Sequence, residues 1–174
     1  MATNPIPSVL INAKIYNEGK ELMGAGTVEL PDFEFMTEAA SGLGLAGEID
    51  MPVLGHFKSL TMSVKWNSVC AQSVELLAPR AHQLSIYGSV QEWDTGNGTF
   101  APTGVKVTVN ATPRKSGVGK FEPGKKMDPS TDFELTYVKM SIGGSEKLEI
   151  DKINFICRID GTDYLSDVRG QLGM

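Results

Sequence analysis

Apolar and polar positions alternate along most of the chain, and this period of two predicts strands with one face on a core. Ile11, Ala13 and Ile15 alternate with Asn12, Lys14 and Tyr16 before a turn at 17–19. Val28 and Leu30 lead across Pro31 into Phe33 and Phe35, with Glu29, Asp32 and Glu34 between them, so one strand is predicted over 27–38. The clearest strand sets Leu60, Met62, Val64 and Trp66 against Thr61, Ser63 and Lys65. Further alternation follows at Leu84, Ile86 and Val90, and at Val105, Val107, Val109 and Ala111. Phe133, Leu135, Tyr137 and Lys139 then oppose Glu134, Thr136, Val138 and Met140.

Turn chemistry separates these runs. Asp-Thr-Gly-Asn-Gly-Thr at 94–99 reads as a hairpin tip, and Gly143-Gly144 and Asp160-Gly161 as tight turns. The segment 147–159 loses its alternation near Asp151, as a β-bulge would cause. Glycines and prolines crowd 113–130, which predicts a long loop, and the last residues read as a short polar tail. Only one stretch has helical spacing. Val69, Cys70, Val74, Leu77 and Ala78 fall on one side of a three-turn helix, capped by Asn67 or Ser68 and ended by Pro79. The sum is a mainly β chain, an antiparallel sandwich or barrel with one flanking α-helix, in a single domain spanning 1–174.

Composition narrows the function. With 174 residues, 41% hydrophobic and 21% charged, the chain can bury a proper core. A net charge of -5 argues against a dedicated nucleic-acid binder. The opening Met-Ala-Thr-Asn-Pro-Ile-Pro carries neither a basic nor an apolar leader region, and no apolar run approaches the roughly 20 residues of a membrane span, so neither a secretory signal nor a membrane anchor is expected. Cys70 and Cys157 are far apart in apolar surroundings and read as free thiols.

Candidate chemistry is sparse. His56 and His82 have no metal-ligand spacing with each other or with a cysteine, and read as surface or hydrogen-bonded structural residues. The run from Gly119 to Lys126 has P-loop spacing, but Lys126 stands where a magnesium-binding hydroxyl is required, and Pro129 follows where a helix should begin. No catalytic, cofactor-binding or metal residue is therefore assigned, and no enzyme is expected. Arg114, Lys115, Lys120, Lys125 and Lys126 make the same segment basic, suited either to an acidic neighbour or passing nucleic acid, or simply to solvent. Ser-Gly-Leu-Gly-Leu-Ala-Gly at 41–47 sets two leucines in a glycine-rich loop, which either folds back on its own core or is covered by a neighbouring subunit.

Several segments together resemble one family. They are Gly24 to Phe35 with Glu29-Leu30-Pro31, then Gly42-Leu43-Gly44-Leu45-Ala46-Gly47-Glu48-Ile49-Asp50, then Leu54-Gly55-His56-Phe57 and the strand from Leu60 to Trp66. Glu149-Ile150-Asp151-Lys152-Ile153-Asn154, Ile159-Asp160-Gly161-Thr162-Asp163-Tyr164-Leu165 and Gly170-Gln171-Leu172-Gly173 complete the likeness, while 96–126 is least similar. The pattern resembles the major tail tube proteins of contractile-tailed phages and R-type bacteriocins.

That resemblance implies hexameric rings, each with a continuous inner β-barrel, stacked into a tube for DNA passage or envelope puncture. It implies sheath, baseplate and tape-measure partners, no cofactor, and assembly in the bacterial cytoplasm into a virion tail or bacteriocin particle. Under it, Gly42, Leu43, Gly44, Leu45 and Ala46 are expected at an inter-subunit contact. Glu29, Asp32, Glu34, Glu38, Glu48 and Asp50 are candidates for an acidic channel lining that repels phosphates. A secretion-system tube and a stand-alone β-domain that binds a ligand or peptide are the alternatives.

Overall fold

A computed structural model describes residues 5–22 and 24–174; the leader reading at residues 1–4 lies outside the described residues. Strands β1 (Ile6–Asn17), β2 (Lys20–Glu21) and β3 (Ala25–Glu29) come first, then β4 (Phe35–Ala40), β5 (Ile49–Phe57) and β6 (Thr61–Trp66). Helix α1 (Ala71–Glu75) precedes β7 (His82–Asp94), β8 (Thr99–Gly117) and β9 (Ser130–Ile142). The chain closes with β10 (Ser145–Asp151), β11 (Ile156–Ile159), β12 (Thr162–Asp163) and α2 (Ser166–Gln171).

All strand pairs are antiparallel, and ten strands form one sheet in the order β12-β11-β10-β9-β8-β7-β1-β2, with β6 joining β9 and β3 joining β6. Strand β9 is the branch point. Its residues 130–134 pair with β6, while 137–142 pair with β10, and β8 runs beside both parts. Between them the ladder to β8 skips Thr136, a bulge that moves the apolar set from Phe133 and Leu135 to Val138. Tyr137 and Lys139 therefore stand on the outer face, correcting the uninterrupted alternation read for this strand.

The sheet curls so that β6 and β3 lie across from β1 and β7. Leu60, Met62, Val64 and Trp66 are buried, as their alternation predicts, against Leu84, Val107, Val109 and Leu135. Cys157 is a free, buried cysteine, and Cys70 is half-buried just before α1. The hairpin tip at 94–99 and the tight turns at 143–144 and 160–161 also fall where predicted.

Other expectations are corrected. The strand predicted over 27–38 is two strands in different sheets. Pro31, buried and without an N–H, ends β3, and the chain leaves before β4 begins. The loop predicted at 113–130 is confined to 118–129, because β8 runs on to Gly117 with an irregularity between Pro113 and Lys115. The slip near Asp151 is a full turn between β10 and β11, with Phe155 at φ 52°. The polar tail is helix α2.

Helix α1 is shorter than read, and its cap is Cys70. The Cys70 Sγ accepts from the Ser73 N–H, and the Cys70 N–H donates to the Ser73 Oγ at 3.1 Å. Its core contact is made by Ser73 and Leu76, whereas Val69, Val74 and Leu77 of the predicted stripe are exposed.

Candidate self-assembly surfaces

Three surfaces look unfinished in the single chain. The first is a pair of open sheet edges. Among the described residues, 6–14 of β1 pair only with β7, and β3 pairs only with β6. An unpaired strand edge offers a row of amides and carbonyls to another chain. Between these edges lies a cleft of about 710 Å³, lined by Leu10, Ala13, Ile15, Val28, Leu30 and Val105 among others. Beside it Ile6, Val9, Leu10 and Ile11 are exposed.

The second surface is the hairpin β4–β5, which pairs with no other strand among the described residues. Its base is held by aromatic packing, Phe35 on Phe57 at 4.6 Å and Phe33 on Phe57 at 6.4 Å between ring centroids. Beyond that base, register divides its faces. Glu38 stands opposite Met51 and Ala40 opposite Ile49, so these four share one face; Thr37 with Pro52 and Ala39 with Asp50 share the other. One face is thus largely apolar, with Ile49 and Met51 about half exposed, and the other is small and polar. The loop at its tip, 41–48, is exposed throughout, and Leu43 is completely so.

The structure therefore sorts the sequence-predicted site residues. Gly42, Leu43, Gly44, Leu45 and Ala46 sit together at the hairpin tip, away from the core, where the Leu45 N–H donates to the Gly42 carbonyl at 3.1 Å. The six acids do not form one surface. Glu29 pairs with Lys65 on the main sheet, and Glu34 pairs with Lys58 at 2.6 Å. Asp32 is in the connecting segment, Glu48 adjoins the tip, and Glu38 and Asp50 occupy opposite faces of the hairpin. The register therefore keeps Glu38 and Asp50 from sharing a face of the hairpin.

The third surface surrounds α1. Val69, Val74, Leu77 and Val118 edge a shallow crevice over the buried Trp66, whose Nε1 has no hydrogen-bond partner among the described residues. The 118–129 loop packs here. The Met127 N–H donates to the Asn67 carbonyl at 3.2 Å, and the Lys120 N–H to the Met127 carbonyl at 3.0 Å. Helical periodicity around 69–78 points to a stripe packed on a sheet face, whereas the structure leaves Val69, Val74 and Leu77 exposed.

The histidines lie apart. His82 is fully buried with its Nε2 3.2 Å from the Ala78 carbonyl, the structural role expected of it, and His56 is exposed on β5. On the outer face of β9–β11, Glu149 accepts from the Tyr137 hydroxyl at 2.9 Å and from Arg158. Burial first, then the Glu149 carboxylate, push the Tyr137 hydroxyl well above its ordinary range. Next to this network, Arg169 donates to Asp163 at 2.6 Å and to the Phe155 carbonyl at 2.7 Å, tying α2 to the sheet. No helix among the described residues is long and apolar enough to cross a membrane.

Open edges, a detached amphipathic hairpin and exposed apolar faces define a structural β-subunit built for association. Residues 7–173 match the family model of phage tail tube protein FII, and the chain belongs to that family as a structural subunit of an inner tail tube. It is 26% identical to the tail tube protein of Escherichia phage P2 over 97% of this chain and 99% of that one. Its fold resembles a chain of the sheath-tube complex in the extended state of an extracellular contractile injection system, PVC, at 15% identity and a TM-score of 0.54, covering 80% of this chain and 93% of that one. A chain of the PVC sheath/tube terminator is similar at 14% identity and a TM-score of 0.53, over 81% of this chain and 99% of that one.

Proposed function

We propose that six copies of this chain close into a ring, and that rings stack into the channel-bearing tube of a contractile phage tail or phage-tail-like particle. The observation that carries this is the amphipathic β4–β5 hairpin, detached from the main sheet, in a chain whose β1 and β3 edges are open. Edge pairing between neighbours closes the ladder that one chain leaves incomplete. Burying the apolar hairpin face adds about 1.5–3 kcal/mol for each large side chain fully covered.

The polar hairpin face then turns to the lumen. Asp50 is the acid it presents, and Glu38, on the opposite face, is assigned to a protein contact instead. An acidic lining lets a phosphate polymer slide without sticking. The tip residues 42–46 contact a neighbouring copy. By analogy with the sheath-tube complex of the PVC particle, a sheath surrounds this tube; a baseplate starts it and a tape-measure protein occupies it during assembly. The tube carries DNA in a phage, or punctures an envelope in a particle without a genome, and needs no cofactor or catalytic group for either.

Negative-stain electron microscopy of the purified chain at rising concentration, with and without a baseplate seed, tests the proposal. Six-fold rings or hollow filaments of uniform diameter are the expected result. A chain that stays monomeric even with a seed overturns it.

A further inference from the structure

The tip of the β4–β5 hairpin and the surface beside α1 are complementary to each other, yet lie on separate parts of the chain. At the tip, Leu43 is fully exposed on a turn flanked by Glu38 and Glu48, neither of which has an ion pair among the described residues. Beside α1, the apolar crevice edged by Val69, Val74, Leu77 and Val118 adjoins a basic loop. Its Lys125 is taken by Glu122 at 3.0 Å, while Lys120 and Lys126 have no ion pair among the described residues. Residues 113–130 carry five basic and two acidic side chains in a chain of net charge -5, so the basic surface is local.

We propose that the 41–48 loop of one copy docks beside α1 of a neighbouring copy, with Leu43 on the crevice and Glu38 and Glu48 against Lys120 and Lys126. The idea rests on the tube reading for the nearness of copies, and it names the surface that receives the tip. Charge selects this occupant. The crevice calls for an exposed apolar side chain with acids beside it, and the hairpin tip offers Leu43 with Glu48 in the loop and Glu38 at the end of β4. The acidic tip at 94–99 is less suited, because Asp94 already accepts from the Gly96 N–H at 2.8 Å and from Asn97 at 2.7 Å. Docking removes Leu43 and the α1 face from water together and gives both sets of charges a partner. Neither gain is available inside one chain.

The test uses the full chain carrying Leu43→Cys and Val74→Cys with Cys70→Ser, assembled into filaments and mildly oxidised. The expected result is a ladder of disulfide-linked multimers, absent from either single cysteine variant. Independently, Lys120→Glu with Lys126→Glu lowers assembly at least about tenfold, and adding Glu38→Lys with Glu48→Lys restores it. Filaments that form without the ladder overturn the docking and leave the tube intact. Failure of the charge swap to restore assembly also overturns it. If the lysine reversals leave assembly unchanged but abolish a shift of duplex DNA, the loop serves nucleic acid and the docking is wrong. A wild-type chain that never forms rings or filaments, even seeded, removes the tube reading and the docking with it.

Discussion

Gly55 and Leu165 are packed so closely that no side chain fits between them. A methyl group on Gly55 would stand 2.5 Å from Cδ1 and 2.7 Å from Cγ of Leu165, which is buried at the start of α2. Gly55 also has φ +67°, in the region of β5 where the ladder to β4 jumps from Phe57 to Pro52. This contact fastens the base of the assembly hairpin to the last helix of the chain.

Replacing Gly55 by Ala meets both the clash and the left-handed backbone, and is expected to cost about 1–3 kcal/mol in urea unfolding. Adding Leu165→Ala opens space for the new methyl, so the double variant should lose less than the sum of the two single variants. Strict additivity would show that the close contact is not what matters.

The hairpin faces predict opposite responses to substitution. Met51→Glu puts a charge on the apolar face and is expected to abolish rings and filaments while leaving the circular dichroism of the monomer unchanged. Asp50→Asn, on the polar face, should assemble normally. Electron micrographs of both variants decide, and equal behaviour would mean that the hairpin does not present one face to a neighbour.

Acid should loosen the C-terminal helix. The hydrogen bond from Arg169 is the main cause that holds the Asp163 carboxyl below its ordinary value of 3.8, helped by the Leu165 N–H. A folded value below the unfolded one means this stabilisation is complete above the unfolded value and is lost as pH falls through the folded one. The melting temperature of the wild type should therefore drop more steeply below pH about 4 than that of Asp163→Asn. Parallel curves would remove Asp163 from the account.

The α1 cap separates two neighbouring substitutions. Ser73→Ala removes a buried hydroxyl that accepts from the Cys70 N–H and donates to the Cys70 carbonyl at 2.8 Å, a loss of about 1 kcal/mol. Cys70→Ser keeps a cap acceptor and should be neutral or slightly stabilising. Thermal melts of the two variants check the order.

Much of this fold was legible in the sequence because one buried face per strand leaves a period-two trace, as at Leu60 to Trp66. The trace failed where two chain segments share one strand. The bulge at Thr136 arises from β9 changing partners, which no local pattern encodes. The division of 27–38 was hidden because Phe33 and Phe35 continue the alternation beyond Pro31, although they pack on Phe57 at the hairpin base. At the candidate surfaces, the glycine-rich leucine loop was visible as an anomaly. The acids were seen only as a group, since their faces depend on the register between β4 and β5. The crevice was missed for a different reason: Val69, Val74 and Leu77 have the spacing of a core stripe, and only the fold shows that Ser73 and Leu76 take that place.

The branch at β9 also sets a timetable for synthesis. Strand β6 has its rung partner on the main sheet some seventy positions later, Thr61 opposite Glu134 and Lys65 opposite Ser130. Until that segment leaves the ribosome, β3 and β6 are a loose pair, and the cleft opposite β1 has no second wall. Half-made chains therefore lack the β3 edge in its place, since β3 reaches the main sheet only through β6 and β9. The second of the two open edges is thus the last to be set in place, after the hairpin and the β1 edge are already made.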